Sequence, residues 1–283
     1  MGKIILSGFA DEYSSNFNEQ IEVLTANNFP MVELRFVDGE NIVDLTNDKL
    51  EIVKNKLSAN GLKVSSIGSP LGKINLKDDF KAHLEKTKRA IEIANYLQTN
   101  RIRVFSFYLP ENATLDECRN QVIDNLGKMI DLANDGKVNL CLENEANVYG
   151  ESPERALDVL NNFNGKLKCV FDMGNFVLDG YKPYPDAYNM LEKYIEYFHI
   201  KDALSQGAIV PAGKGEGEIE NILRAYKQKV DKDFIITLEP HLQTFSGFNA
   251  LTNKTFDNPY KYPDQKVAFL DAIKCLKEIC SKI

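Results

Sequence analysis

Eight short apolar runs, separated by segments with helical periodicity, constrain the fold of this chain more than any other feature. The runs begin near residues 3, 31, 62, 101, 138, 168, 197 and 234. Their length and their content of Val, Ile, Leu and Phe are typical of buried strands. Strand alternating with helix predicts a parallel sheet with right-handed crossovers. Eight such units favour closure into a single (β/α)₈ TIM barrel, an α/β fold, as one domain over residues 1–283.

The charge of the chain excludes two classes of partner, and its cysteine pattern predicts the redox state of the thiols. The net charge is −7, and no basic stretch is longer than a few residues. Nucleic acid and an anionic membrane surface are therefore not expected to bind, because both require clustered positive charge. The five cysteines are spread without a Cys-x-x-Cys pair, which predicts reduced thiols. No run resembles a signal peptide or a bilayer-spanning segment, so we expect a cytoplasmic protein.

Four metal-competent side chains stand at the ends of the last four runs. They are Glu143, Asp172, His199 and Glu239, separated by 29, 27 and 40 positions. The carboxyl ends of parallel barrel strands meet at one face, about 4.8 Å from strand to strand, so these side chains can converge. A single carboxylate or histidine here would more often be a helix cap or a structural residue. The set of four predicts one divalent ion, and its mixed oxygen and nitrogen donors suit Mn²⁺, Mg²⁺, Co²⁺ or Zn²⁺.

Further polar residues near the strand ends are candidates for substrate contact. We expect this of Arg35, Glu145, Asn175, Lys201 and His241. The competing interpretations are a structural ion pair for Arg35 and a surface carboxylate for Glu145. The glycine-rich loop 213–217 resembles a phosphate-binding loop. Glu216 would repel a phosphate, however, so a flexible loop at the rim of the barrel is the favoured interpretation. The aromatic segment 244–263 follows the eighth run and is interpreted as a lid or a packed surface excursion.

Seven motifs carry a resemblance to a known family. They are SGFADE (7–12), VELR (32–35), LEN (142–144), FDMGN (171–175), HIKD (199–202), GKGEGEI (213–219) and LEP (238–240). Together they resemble the xylose isomerase-like TIM-barrel superfamily, the sugar phosphate isomerases and epimerases, over essentially the whole chain. The resemblance implies that Glu143, Asp172, His199 and Glu239 are the metal ligands. It also implies that Glu143 and Glu239 are the pair of catalytic carboxylates.

Two positions depart from one branch of this superfamily, the ketose 3-epimerases. Asn175 stands where those enzymes carry a substrate-binding histidine, three residues after the aspartate ligand. Tyr149 stands where they place a glutamate, six residues after the first ligand. The motifs therefore identify the superfamily and leave the substrate open.

The expected function is that of a divalent-metal-dependent isomerase or epimerase. It would act on a small sugar, a sugar phosphate or a hydroxy-keto compound through an enediolate, and it could form a homo-oligomer. The alternative is a metal-dependent dehydratase of the inosose dehydratase type, with the same ion. An endonuclease IV-like enzyme is disfavoured by the acidic charge and by the presence of only three histidines. A non-catalytic sugar-binding barrel is disfavoured because it would not require both Glu143 and Glu239.

Overall fold

Eight parallel strands form the centre of the protein in a computed structural model that describes residues 2–243 and 259–283. They are β1 (Ile4–Gly8), β2 (Met31–Leu34), β3 (Lys63–Ile67), β4 (Arg101–Val104), β5 (Asn139–Glu143), β6 (Leu167–Asp172), β7 (Ile195–Ile200) and β8 (Phe234–Leu238). Hydrogen bonds pair them in the order β1-β8-β7-β6-β5-β4-β3-β2, and β1 contacts β2 at the ends of this order. The sheet is a nearly closed barrel, which confirms the predicted TIM-barrel fold.

Helices lie between the strands. They are α1 (Phe17–Ala26), α2 (Asn47–Ala59), α3 (Phe80–Tyr96), α4 (Leu115–Asp135), α5 (Pro153–Asn161), α6 (Met173–Leu178), α7 (Tyr188–Leu191), α8 (Ile219–Lys229) and α9 (Gln265–Cys280). Each segment with helical periodicity overlaps one of these helices, but α6 was not predicted. Two short antiparallel ribbons were also missed: Phe36–Val37 pairs with Glu40–Asn41, and Asp202–Ala203 pairs with Ile209–Val210.

Local sequence signals explain where the helices begin. The hydroxyl of Ser152 accepts a hydrogen bond from the backbone N–H of Arg155 at 3.2 Å, and Pro153 occupies the first helical position of α5. Serine before the helix and proline at its first position are both typical of a helix start. Thr114 and Glu117 form a reciprocal capping box at the start of α4. Such caps satisfy N–H groups that have no partner within the helix.

Inside the barrel, a small apolar layer lies beneath a layer of polar side chains at the carboxyl ends of the strands. Cys141, Val170, Tyr197 and Ile235 form a buried cluster of their own, one residue from each of β5, β6, β7 and β8. Side chains two positions apart on a strand share a face. Glu143, Asp172, His199 and Thr237 therefore also face the interior, one layer nearer the carboxyl ends. The larger hydrophobic core fills the space between the sheet and the helices.

Three expectations concern the chain as a whole. All five cysteines are unpaired, and four of them are buried, which confirms the expected free thiols. Within residues 2–243 and 259–283, no helix has the length and apolar character needed to cross a membrane. The segment predicted as a lid lies mostly at 244–258, outside the described residues.

Candidate metal centre

Four side chains from consecutive strand ends meet at the carboxyl face of the barrel. Glu143 ends β5, Asp172 ends β6, His199 lies near the end of β7, and Glu239 directly follows β8. Each offers one ligand atom, and these atoms all lie within 4.8 Å of one another. All four residues are at most 2% exposed. The expected convergence is therefore observed, whereas the role of each residue as a metal ligand stays a prediction.

Three carboxylate oxygens of this cluster have unsatisfied hydrogen-bonding capacity. Glu143 Oε2, Asp172 Oδ2 and Glu239 Oε2 are buried and receive no hydrogen bond of good geometry from the described residues. Each instead has an ion-pair contact, at 3.0–3.2 Å, with Arg103, Lys201 or His199, and burying a carboxylate oxygen without a good hydrogen bond is costly. One divalent ion would satisfy all three oxygens together with an imidazole nitrogen. The donor set therefore fits Mn²⁺, Mg²⁺, Co²⁺ or Zn²⁺.

His199 presents one ring nitrogen to the cluster. Its Nδ1 lies 2.8 Å from Glu143 Oε1 and 3.2 Å from Glu239 Oε2. Its Nε2 faces the opposite side, 3.2 Å from Glu33 Oε2. Burial lowers the pKa of His199, but the surrounding carboxylates, Glu143 first, outweigh burial and hold this pKa well above its usual value. An incoming ion must therefore displace a proton from Nδ1.

Asp172 caps a helix and also faces the cluster, two interpretations that the sequence presented as alternatives. Its Oδ1 accepts a hydrogen bond from the backbone N–H of Asn175 at 2.8 Å and so caps α6. Its Oδ2 lies 3.0 Å from Lys201 Nζ, on the side of the cluster. Burial raises the pKa of Asp172 to about 7, although the charge of Lys201 opposes this shift. The cap leaves the second oxygen facing the cluster, where an ion would replace its contact with Lys201.

Arg35 is enclosed by carboxylates. Its guanidinium lies 2.8 Å from Asp11, 3.3 Å from Glu12 and 2.9 Å from Glu239, and the residue is 1% exposed. His241 Nε2 adjoins this group, 3.3 Å from Glu12 Oε1. Burial raises the pKa of Glu12 to about 8, with Arg35 opposing the shift. These contacts favour a role for Arg35 in holding Glu239, while contact between Arg35 or His241 and a substrate stays a prediction.

Two lysines bring positive charge to the site. Lys201 Nζ lies 3.6 Å from Glu239 Oε2, besides its contact with Asp172, and Lys73 Nζ lies 2.7 Å from Glu145 Oε2. Burial alone would raise the pKa of Glu239, but the charges of Lys201 and then His199 hold it well below its usual value. Glu239 is therefore ionised at neutral pH. Substrate contact by Glu145 or Lys201 stays a prediction.

The two positions that depart from the ketose 3-epimerases have structural contacts. The side-chain amide of Asn175 donates to the backbone carbonyl of Asn144 at 2.8 Å. The side chain of Asn144 in turn exchanges two hydrogen bonds with the backbone of Asp172, at 2.9 and 3.0 Å. The hydroxyl of Tyr149 donates to Asp158 at 3.3 Å. Asn175 thus ties the ends of β5 and β6 together beside the cluster, and its predicted contact with substrate is untested.

The glycine-rich loop after β7 is folded around the carboxylate of Asp202. The backbone N–H groups of Gly213, Gly215 and Gly217 donate to this carboxylate at 2.8, 3.0 and 2.8 Å. The groups that could have cradled a phosphate are therefore already occupied.

Replacing Gly215 with alanine is expected to destabilise the protein by about 1–3 kcal/mol, the usual cost of overpacking. A Cβ atom at this position would lie 2.3 Å from Asp202 Oδ1 and 2.5 Å from the carbonyl oxygen of Ala203. Gly127→Ala is the matched control, because a Cβ at Gly127 has its nearest neighbour at 3.7 Å. Urea unfolding measures both variants, and equal stability of the two would contradict the packing argument.

Several residues of the site were missed from the sequence. Arg103 Nη1 lies 3.2 Å from Glu143 Oε2 and 3.5 Å from Glu239 Oε1, and Glu33 contacts His199 from behind. Each is a charged residue inside a strand-like run. Arg103 lies two positions after Arg101, and Glu33 lies two positions before Arg35. Two charges at this spacing share one face of a strand, which is the signal that could have identified them.

Known proteins that are similar to this chain share its fold and differ from one another in activity. A 3-dehydroshikimate dehydratase from Bacillus anthracis is 22% identical over 191 residues, which are 67% of this chain and 68% of that protein. The crystal structure of the IOLI protein with a bound zinc atom matches with a TM-score of 0.74 and 17% identity, covering 98% of each chain. A D-allulose 3-epimerase from Methylomonas sp., in complex with D-allulose, has a TM-score of 0.74 and 16% identity, covering 100% of this chain and 98% of that one.

A family profile matches most of the sequence. The profile described as "Xylose isomerase-like TIM barrel" matches residues 21–270, which include all four side chains of the cluster and seven of the eight barrel strands. The motifs, the barrel and this match agree with one another. The chain belongs to the xylose isomerase-like TIM barrel family.

Proposed function

We propose that this protein is a divalent-metal-dependent isomerase or epimerase acting on a small sugar or a related hydroxy-carbonyl compound. One observation carries the proposal. Three buried carboxylate oxygens without good hydrogen bonds and His199 Nδ1 come from four consecutive strand ends and converge on one point. Glu143, Asp172, His199 and Glu239 would hold the ion. The zinc atom in the similar IOLI structure supports a site of this kind.

The carboxylates of the cluster are suited to proton transfer. A bound ion would supply an electrophile that polarises a substrate carbonyl and acidifies the neighbouring C–H group. Glu143 and Glu239 come from the ends of β5 and β8, and both lie near Arg103 and His199. One carboxylate takes a proton from the carbon beside the carbonyl and leaves an enediolate. Return of a proton to the opposite face of that carbon is epimerisation. Return of the proton to the former carbonyl carbon, with transfer of the hydroxyl proton from one oxygen to the other, is aldose–ketose isomerisation.

The charges around the site support an uncharged substrate. Besides His199, the described residues that share these ion pairs are seven carboxylates and four lysine or arginine side chains. With His199 neutral as a metal ligand, a divalent ion would leave a formal excess of one negative charge. Each cation already faces a carboxylate, and the loop that resembles a phosphate cradle holds Asp202. A ketose such as D-allulose, which the Methylomonas enzyme binds, has no ionised group.

Dehydration is the second candidate, favoured by the curated relative named 3-dehydroshikimate dehydratase. The first step is the same removal of a proton beside the carbonyl. A hydroxyl group on the next carbon then departs with a proton as water, and a conjugated carbonyl remains. 3-Dehydroshikimate carries a carboxylate, for which the observed ion pairs offer no excess positive charge. An uncharged ketone is therefore the better candidate substrate for this reaction as well.

Deuterium incorporation tests the proposal. The protein loaded with Mn²⁺ or Zn²⁺ is incubated in D₂O with unphosphorylated ketoses, inososes, hydroxypyruvate, sugar phosphates and 3-dehydroshikimate. We expect deuterium at the carbon beside the carbonyl of an uncharged substrate, detected by NMR, with a product of the same composition. Loss of one water and a new ultraviolet absorption would favour the dehydratase. Exchange only with phosphorylated or carboxylated compounds would contradict the charge argument, and exchange with none would contradict the proposed activity.

A further inference from the structure

Glu33 lies behind His199, on the side that faces away from the four-residue cluster. It is a carboxylate within β2 and is 1% exposed. Its Oε2 lies 3.2 Å from His199 Nε2, while Nδ1 of the same ring faces Glu143. The two nitrogens of an imidazole point in different directions, so each has its own partner. Glu33 is the partner of the nitrogen that the cluster does not use.

Glu33 is itself held in place. Its Oε1 accepts a hydrogen bond from the hydroxyl of Tyr197 at 2.8 Å. The oxygen of that hydroxyl lies 3.1 Å from Ser66 Oγ, which can donate to it in turn. The two oxygens of Glu33 are thus divided between Tyr197 and His199. Because an ionised carboxylate only accepts hydrogen bonds, this arrangement requires an N–H group at Nε2 of His199.

We propose that Glu33 is a positioning residue of the metal centre, which accepts the Nε2–H of His199 and so fixes Nδ1 as the ligand atom. This inference rests on the proposed metal site and goes beyond it, because Glu33 acts through His199. A carboxylate behind a ligating imidazole fixes the tautomer and orientation of the ring and increases its basicity. Removal of such a partner typically weakens metal binding by about 10- to 100-fold.

The test compares zinc binding by isothermal titration calorimetry in chelator-treated wild type, Glu33→Gln, Glu33→Ala and Tyr197→Phe. We expect the Kd to rise about 100-fold in Glu33→Ala and about tenfold in Glu33→Gln, since the amide oxygen can still accept the N–H but has no charge. Tyr197→Phe should have a smaller effect, because Glu33 remains. Glu196→Gln is the matched control: Glu196 is on the same strand as His199 and pairs with Arg101 at 2.9 Å. Its Kd should equal that of the wild type.

Nitrogen-15 NMR of the zinc-bound protein reports the tautomer directly. In the wild type we expect a protonated Nε2 and a metal-bound Nδ1 on His199, and a loss of this single state in Glu33→Ala. Circular dichroism and urea unfolding of the metal-free variants separate an effect on binding from an effect on folding. If Glu33→Ala does not fold, Glu33→Gln decides the question.

The possible failures are distinguishable. A folded Glu33 variant that binds zinc as tightly as Glu196→Gln, with an unchanged His199 spectrum, would overturn the role of Glu33 and leave the metal site intact. If the wild type itself binds neither Zn²⁺ nor Mn²⁺, the proposed metal site is wrong, and the role of Glu33 falls with it.

Discussion

Glutamine at position 143 or 239 is expected to lower the rate of deuterium exchange into the substrate by about 10²- to 10⁴-fold, the usual contribution of a general acid or base. Both carboxylates lie within the cluster, at most 2% exposed, and Glu239 is kept ionised by Lys201 and His199. Glutamine preserves the shape and one ligating oxygen but cannot accept the proton. The rates are measured by NMR at saturating concentrations of metal ion, so that weaker metal binding does not limit them.

A surface variant provides the control for these substitutions. Glu220→Gln lies on α8, where Glu220 pairs with Arg224 at 2.8 Å in a solvent-exposed contact. It should exchange at the wild-type rate. If Glu143→Gln and Glu239→Gln also exchange at the wild-type rate with saturating ion, neither carboxylate moves the proton, and their assignment as bases is wrong.

Removal of the metal ion is expected to abolish activity and to lower stability. An ion that binds only the folded protein stabilises it by about 2.7 kcal/mol at a concentration 100 times its Kd. Treatment with a chelator should therefore lower both the turnover and the unfolding midpoint, and one equivalent of Mn²⁺, Mg²⁺, Co²⁺ or Zn²⁺ should restore them. In Asp172→Asn, added metal ion should restore less of the turnover and raise the unfolding midpoint less than in the wild type, because the substitution removes a charged ligand. Full activity after complete removal of metal would contradict the proposed function.

The same site predicts how metal binding depends on pH. Burial raises the pKa of Asp172 to about 7, and the carboxylates around His199 hold the pKa of the imidazole well above its usual value. The ion binds the deprotonated forms, so protons compete with it. We expect the metal affinity to fall as the pH decreases through about 7 and binding at neutral pH to release protons. Calorimetry in buffers of different ionisation enthalpy measures this release.

The barrel and the cluster could be predicted from sequence because both depend on local patterns. Each strand appears as an apolar run, and the ligand candidates stand at the ends of four of these runs. Helix α6 was missed for a local reason: Met173–Leu178 has only six residues, too few to show helical periodicity, and it follows β6 directly. The polar residue that starts this helix is Asp172 itself, for which a helix cap was the interpretation that competed with the metal site.

The contacts that support the cluster could not be predicted because they join distant parts of the chain. Arg35 pairs with Glu239, 204 positions away, and with Asp11, which lies 24 positions before it. Nothing in VELR distinguishes a guanidinium that holds a carboxylate from one that binds a substrate phosphate. His199 and Glu33 are 166 positions apart, and only the closure of the barrel brings them together. The sequence identifies the candidates, and the three-dimensional arrangement decides which side chain each one faces.

Anomalous X-ray diffraction from crystals of the protein grown with Mn²⁺ shows directly whether the four side chains hold an ion. We expect one strong anomalous peak between Glu143, Asp172, His199 and Glu239, with Nδ1 as the histidine donor and carboxylate oxygens at about 2.0–2.3 Å, as for hard divalent ions. A map with no peak at this position, or with Lys201 still against Asp172 and the ion bound elsewhere, would contradict the proposed metal site.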